Sequence, residues 1–278
     1  MTLEMFLEPF QYSFMVRAFV GTGLVAVITA AVGTFVVLKG LAFLGDAIAH
    51  TSFTGIAVAL LLGISVYFGA LFFAVLTALG VVFLTRISSV KDDTALAILF
   101  TGVFALGIVL LSVSPVLVGD LNSLLLGSVM GIQTGEIWIM IVVALVLALI
   151  LSLFFERFVF VSFDPIGAEA AGFPVAFFQS LLLVLIAVAI VIAIQAVGVV
   201  LVVSLLITPA ATASLLTKRI KSLLGLSSVL GLFSSFVGLY LSYFLGAPPG
   251  ATIVLVATAI FGLVLIVQKL SGIFRISQ

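Results

Sequence analysis

The sequence predicts an all-α polytopic membrane protein with eight or nine transmembrane helices. Three observations carry this. Of the 278 residues 65% are hydrophobic and 7% charged, against roughly 25% charged in a soluble domain. Apolar runs of about 18 to 23 residues, the length that bridges a ~30 Å hydrocarbon core, recur nine times. No polar block between them is large enough for a second folded unit, so residues 1–278 are expected to form a single transmembrane domain whose longest internal loop is 156–174.

The runs lie at 16–37, 41–62, 66–85, 95–117, 137–155, 175–194, 199–216, 226–245 and 251–270. The first is expected to be retained, because Glu4 and Glu8 precede it where a signal peptide carries positive charge. Arg17 lies close to the membrane boundary and can snorkel to headgroups. The second run is headed by Asp46 and His50. The fourth follows Lys91, Asp92 and Asp93, whose carboxylates suit the positive end of a helix, and Glu136 opens the fifth in the same way. Trp138 fits an interfacial anchor. Gln195 ends the sixth run, either lining a path or hydrogen-bonding at the interface. The seventh is the weakest: Pro209 removes a backbone donor and predicts a local break, and if that segment is re-entrant the count falls to eight.

Ten basic and ten acidic residues cancel, so no nucleic-acid partner or polybasic arm is indicated. Their placement is informative. With nine spans and the N-terminus outside, Lys39, Arg86, Lys91, Arg157, Lys218, Arg219, Lys221, Lys269 and Arg275 all fall on or beside cytoplasmic segments, leaving only Arg17, and the C-terminus is cytoplasmic.

Two segments between spans stand out. In 120–135, Gly127, Gly131 and Gly135 recur at four-residue spacing; on one helical face they would form either a packing stripe or a short gating helix, if the segment is not an external loop. In 156–174, Phe163-Asp164-Pro165 predicts a turn, and Glu169-Ala170-Ala171 before Gly172 a short helix. That helix is either a docking element for a cytoplasmic protein or a simple connector.

The candidate chemistry is sparse. His50 is the sole histidine and cysteine is absent, so a metal would be held by oxygen and imidazole nitrogen. Residues four apart on a helix share a face, so Asp46 and His50 can converge on one ion or proton. An Asp at membrane depth costs roughly 2.5 to 3.5 kcal/mol at the helix centre and less near the interface, which calls for a partner. The pair serves either as a metal site or as a buried hydrogen bond that fixes helix packing. Carboxylate with neutral imidazole suits Mn²⁺, Zn²⁺ or Fe²⁺. No phosphate-binding G-x-x-x-x-G-K-[ST] loop, H-E-x-x-H or G-x-S-x-G occurs, so the chain is not expected to be an enzyme and ATP hydrolysis would fall to another polypeptide.

The stretch 33–55, containing Gly33-Thr34-Phe35, Lys39-Gly40-Leu41 and Gly45-Asp46-Ala47-Ile48-Ala49-His50-Thr51-Ser52, resembles the signature region of the bacterial ABC-3 family, the permease subunits of zinc, manganese and iron ABC importers. A second stretch, 197–213, with Val197-Gly198-Val199 and Ile207-Thr208-Pro209-Ala210, resembles another typical of that family, and Phe163-Asp164-Pro165 falls where such permeases place their coupling loop. The spacing Glu169-Ala170-Ala171-Gly172 departs from the E-A-A-x-x-x-G pattern of other ABC permeases, so position carries that match more than letters.

The resemblance implies a type II-like ABC importer permease in the bacterial cell membrane. It would receive metal from an extracytoplasmic solute-binding protein, pair with a second permease copy, and be driven by cytoplasmic ATP-binding subunits docked at Phe163, Asp164, Pro165, Glu169 and Gly172. Asp46 and His50 would contact the metal, with zinc or manganese ahead of iron as cargo and no resident cofactor. If the path lies on a two-fold axis, two copies would supply two carboxylates and two imidazoles. A proton-coupled secondary transporter would use the same pair with no docking helix, and a permease for a metal chelate would need a wide polar path instead.

Overall fold

The computed structural model describes residues 8–88, 90–112 and 128–276. Eleven α-helices appear among them: α1 Ser13–Leu38, α2 Leu44–Leu62, α3 Val66–Ile87, α4 Asp92–Ser112, α5 Thr134–Leu153, α6 Phe155–Phe163, α7 Pro165–Ala170, α8 Val175–Val197, α9 Val199–Leu216, α10 Ile220–Leu245 and α11 Pro249–Ile276. Nine of the eleven are long and apolar enough to cross a bilayer, α6 and α7 being the exceptions. Within hydrocarbon every backbone donor and acceptor must be satisfied internally, which is why runs this apolar fold as helices.

The α1 helix is the axis of the bundle, packed against α5, α8, α9 and α10. Its neighbours approach closely where side chains are missing: a Cβ on Gly33 would overlap the backbone carbonyl of Leu206 in α9. The α2 helix lies between α3 and α4, while α4 and α11 are outer helices with most of their surface uncovered. Hydroxyls stitch the layers. Thr34 Oγ1 and Ser227 Oγ lie 3.1 Å apart between α1 and α10, and Thr54 Oγ1 donates to the Val103 carbonyl at 2.8 Å between α2 and α4. Such interhelical bonds replace the hydrophobic driving force that lipid does not supply.

Four expectations need correcting. Pro209 leaves no break: α9 runs continuously over Val199–Leu216 with Pro209 buried inside it. Packing against α1 and α11 holds the helix past its missing donor. The 156–174 segment holds the expected short helix, α7 at Pro165–Ala170, but its first half is a further helix and not a loop. Phe154, off helical geometry at φ −109° and ψ 13°, separates α5 from α6, and Phe158 and Val161 bury one face of α6 while Glu156 and Arg157 stay exposed. Gly131 closes a 3-10 turn and Gly135 sits in the first turn of α5, so these two share no helical face; extended backbone at Gln133 (φ −91°, ψ 156°) comes between them. Gly127 lies outside the described residues. Finally, Arg17 does not snorkel freely, since its Nε donates to the Ile132 carbonyl at 3.1 Å and ties α1 to the segment before α5.

The helix starts follow the sequence reading. Asp92 and Asp93 occupy the first turn of α4. Glu136 closes a capping box, its Oε2 accepting from the Gln133 backbone N–H at 2.9 Å. Between α8 and α9 the chain turns on Gly198 alone, at φ +86°, a backbone region that side-chain-bearing residues rarely occupy.

Candidate metal site

The tight connection between α1 and α2 sets the site. Lys39 ends α1, Gly40 takes φ +69°, and α2 begins four residues on at Leu44. Asp46 is therefore in the first turn of α2, where the helix dipole favours a carboxylate. His50 follows one turn on, roughly 9 Å along the helix from Leu44.

His50 Nδ1 lies 2.8 Å from the Asp46 backbone carbonyl and 3.5 Å from Asp46 Oδ1. A carbonyl only accepts, so Nδ1 carries the proton in this bond and the lone pair of neutral imidazole is on Nε2. That is the arrangement in which a histidine is pre-set to bind a metal through its other nitrogen. The ring is fixed laterally by three phenyl groups, with centroid separations of 5.1 Å to Phe104, 5.3 Å to Phe100 and 6.2 Å to Phe53, all edge-on. Phe100 and Phe104 come from α4 and stack on each other at 5.9 Å. Sequence reasoning missed them; the only signal was two phenylalanines four apart in a span, which also describes ordinary packing.

The pair is partly open, His50 being 25% and Asp46 37% exposed at the side chain. Among the described residues no three His, Cys, Asp or Glu side chains converge to hold a metal. One copy of the chain therefore offers two candidate donor side chains at a partly open face. Nearby, burial holds the Lys39 amine below its ordinary pKa while the Asp92 carboxylate works the other way, so the α1–α2 turn carries a partly desolvated charge beside the start of α4.

A second polar group gathers at the opposite end of the spans. Tyr67 donates to Glu136 Oε1 at 3.4 Å, and with Gln195 they line a cavity of about 10 Å³, room for one water. The buried Gln195 Nε2 has no hydrogen-bond partner among the described residues. Gln195 thus lines this small cavity beside Tyr67 and Glu136.

The α6–α7 segment is ordered by a cap. Asp164 Oδ1 accepts from the Gly167 N–H at 2.8 Å, Pro165 sits at the first helical position, and Gly172 at φ +81° lies just past the end. Ala168 is buried, whereas Ile166 is 81% and Phe163 58% exposed. Two large apolar side chains beside a capped short helix form an unpartnered surface. Glu169 is exposed on the same helix.

The model of the ABC 3 transport family matches residues 11–268. Among curated proteins, the manganese transport system membrane protein MntC of Listeria monocytogenes is 40% identical over 258 residues, covering 92% of each chain. The manganese import system permease protein ScaB of Streptococcus gordonii is 38% identical over 250 residues, covering 90% of each. Among solved structures, PsaBC from Streptococcus pneumoniae in complex with Fab superposes with a TM-score of 0.82 at 35% identity, covering 95% of each chain.

Proposed function

The chain belongs to the ABC 3 transport family, and from that premise we propose that it is the membrane-spanning permease subunit of an ATP-driven importer of divalent transition-metal ions, with manganese as cargo. The observation that carries the metal assignment is the Asp46–His50 pair, with Nε2 uncommitted on a partly open face. An ionisable pair at membrane depth cannot be left against lipid. A second copy of the chain apposed on that face would cover it and double the donor set to two carboxylates and two imidazoles, with water or carbonyls completing the shell. Oxygen-rich coordination with few nitrogens suits Mn²⁺, and a shell left incomplete lets a transported ion leave as well as enter. The manganese systems named for MntC and ScaB support that choice.

ATP hydrolysis belongs to separate cytoplasmic subunits in this reading, since no nucleotide-binding motif is present. They would dock on the exposed Phe163 and Ile166 around the Asp164 cap. The N-terminus lies outside and the C-terminus in the cytoplasm, which puts Lys39, Arg86, Arg157 and Lys218 on the cytoplasmic side. A solute-binding protein would deliver metal at the other face.

The test is reconstitution of the chain with its ATPase and binding protein in liposomes, measuring ATP-dependent ⁵⁴Mn uptake in competition with zinc and iron. Uptake by the chain alone, driven by a proton gradient with no ATPase, overturns the reading. Stronger inhibition by zinc or iron than by unlabelled manganese keeps the transporter and moves the cargo.

A further inference from the structure

A cleft of about 700 Å³ opens in the side of the bundle between α1, α5, α6 and α10. Its inner wall is apolar and belongs to the spans, with Val27 and Ala31 from α1 facing Leu224 of α10. Val27 stands eleven residues before the end of α1, so the cleft reaches roughly 16 Å into the membrane at 1.5 Å per residue. The rim is cationic. Arg157 stands with its guanidinium carbon 5.5 Å and 5.6 Å from the ring centroids of Phe154 and Phe178, and Lys221 Nζ is 5.8 Å from that of Phe155.

Ring faces orient a cation without neutralising it. Glu156 also lines the cleft, yet among the described residues Arg157 and Lys221 form no ion pair with it or any other carboxylate. Two oriented, unneutralised cations therefore stand at the membrane boundary, above an apolar slot of acyl-chain depth.

We propose that this cleft binds one anionic glycerophospholipid, its phosphate held by Arg157 and Lys221 and an acyl chain lying along Val27, Ala31 and Leu224. The site rests on the membrane-spanning architecture and is independent of the metal path. Its failure would leave the transport reading untouched, and the converse also holds. Two basic residues at a membrane surface favour an anionic over a zwitterionic headgroup by about thirtyfold.

The experiment uses the full chain with its ATPase in nanodiscs, labelled by phosphatidylglycerol or phosphatidylcholine carrying a photoreactive acyl chain. Cross-links to peptides spanning residues 27–31 and 224–228, with a preference for phosphatidylglycerol of about thirtyfold, are expected. The preference is lost in Arg157→Gln/Lys221→Gln and kept in Lys218→Gln/Arg219→Gln, two cations that do not line the cleft. Ala31→Phe, which narrows the slot with both rim cations intact, lowers labelling by either lipid. Equal labelling of the wild-type chain by both lipids overturns the proposal, as does labelling mapped elsewhere, and neither result depends on a variant folding. Competition by soluble glycerol phosphate at equal concentration would place the affinity in the phosphate alone and also overturn it. So would labelling that appears with the chain alone and is absent from its complex with the ATPase, since the cleft would then seat protein.

Discussion

Gly55 and Gly69 each occupy the space the other's Cβ would need: a Cβ built on either one overlaps the carbonyl oxygen of its opposite number. The α2 and α3 backbones are therefore in direct contact at this point, without side chains between them. The α2 helix also carries Asp46 and His50, so its position against α3 sets where the pair stands. Gly55→Val and Gly69→Val are each expected to destabilise the chain by about 2 to 3 kcal/mol or prevent its accumulation. Thermal melting in detergent checks this, with Gly135→Val, where a Cβ meets open space, expected to melt like the parent.

The cap at Asp164 predicts a separable coupling defect. Asp164→Ala removes the acceptor for the Gly167 N–H and is expected to destabilise α7 by about 1 kcal/mol. Asp164→Asn retains most of the cap. Ile166→Asp leaves the cap intact and places charge on the exposed apolar surface. Co-purification of the ATPase is expected to fall strongly in Ile166→Asp, partially in Asp164→Ala and little in Asp164→Asn. Full retention by Ile166→Asp would show that the surface is not the dock.

Lys39 and Asp92 predict a pH-dependent stability difference. Burial holds the Lys39 pKa below the ordinary lysine value of 10.5. The desolvation penalty of the charged amine is therefore full below the folded-state pKa and gone above 10.5. Lys39→Met is expected to melt at or above the parent temperature near neutral pH, with the gap closing as pH rises toward 10.5. Asp92→Asn removes the opposing attraction, and its cost is expected to be smaller in the Lys39→Met background by up to about 1 kcal/mol, what remains being the loss of a carboxylate from the first turn of α4.

The spans were legible because hydrocarbon imposes a length on any apolar helix. Boundaries set by local chemistry, such as the Glu136 capping box, could be read from a few letters. The seventh run came out unbroken because tertiary packing, invisible to a scan of local propensity, outweighs the donor lost at Pro209. The α6 helix was missed for a related reason: Phe158 and Val161 are buried by neighbours distant in sequence, and in the chain they read only as an apolar stretch beside charges. At the candidate site, Asp46 and His50 announced themselves as ionisable groups in an apolar run. Phe100 and Phe104 did not, because their role depends on α4 lying across α2.

The Nδ1 bond of His50 allows the two nitrogens to be tested separately. Asn reproduces a donor near Nδ1 but places nothing at Nε2, so His50→Asn can keep the bond to the Asp46 carbonyl while removing the proposed ligand. Gln extends an amide toward the Nε2 position and gives up the Nδ1 bond. If the imidazole only fixes packing, His50→Asn retains uptake and His50→Gln loses it. If Nε2 binds the ion, His50→Asn loses uptake as fully as His50→Ala, and His50→Gln retains a residue of it. Loss of a direct ligand should exceed the 10- to 100-fold effect typical of groups one shell out, so a fall in ⁵⁴Mn uptake of at least about a hundredfold is expected for His50→Asn, His50→Ala and Asp46→Ala. Basal ATPase activity of the assembled complex should stay measurable in all three, because the pair lies in α2 and the proposed dock in α6 and α7. Wild-type uptake by either Asp46→Ala or His50→Asn would remove these side chains from the metal path.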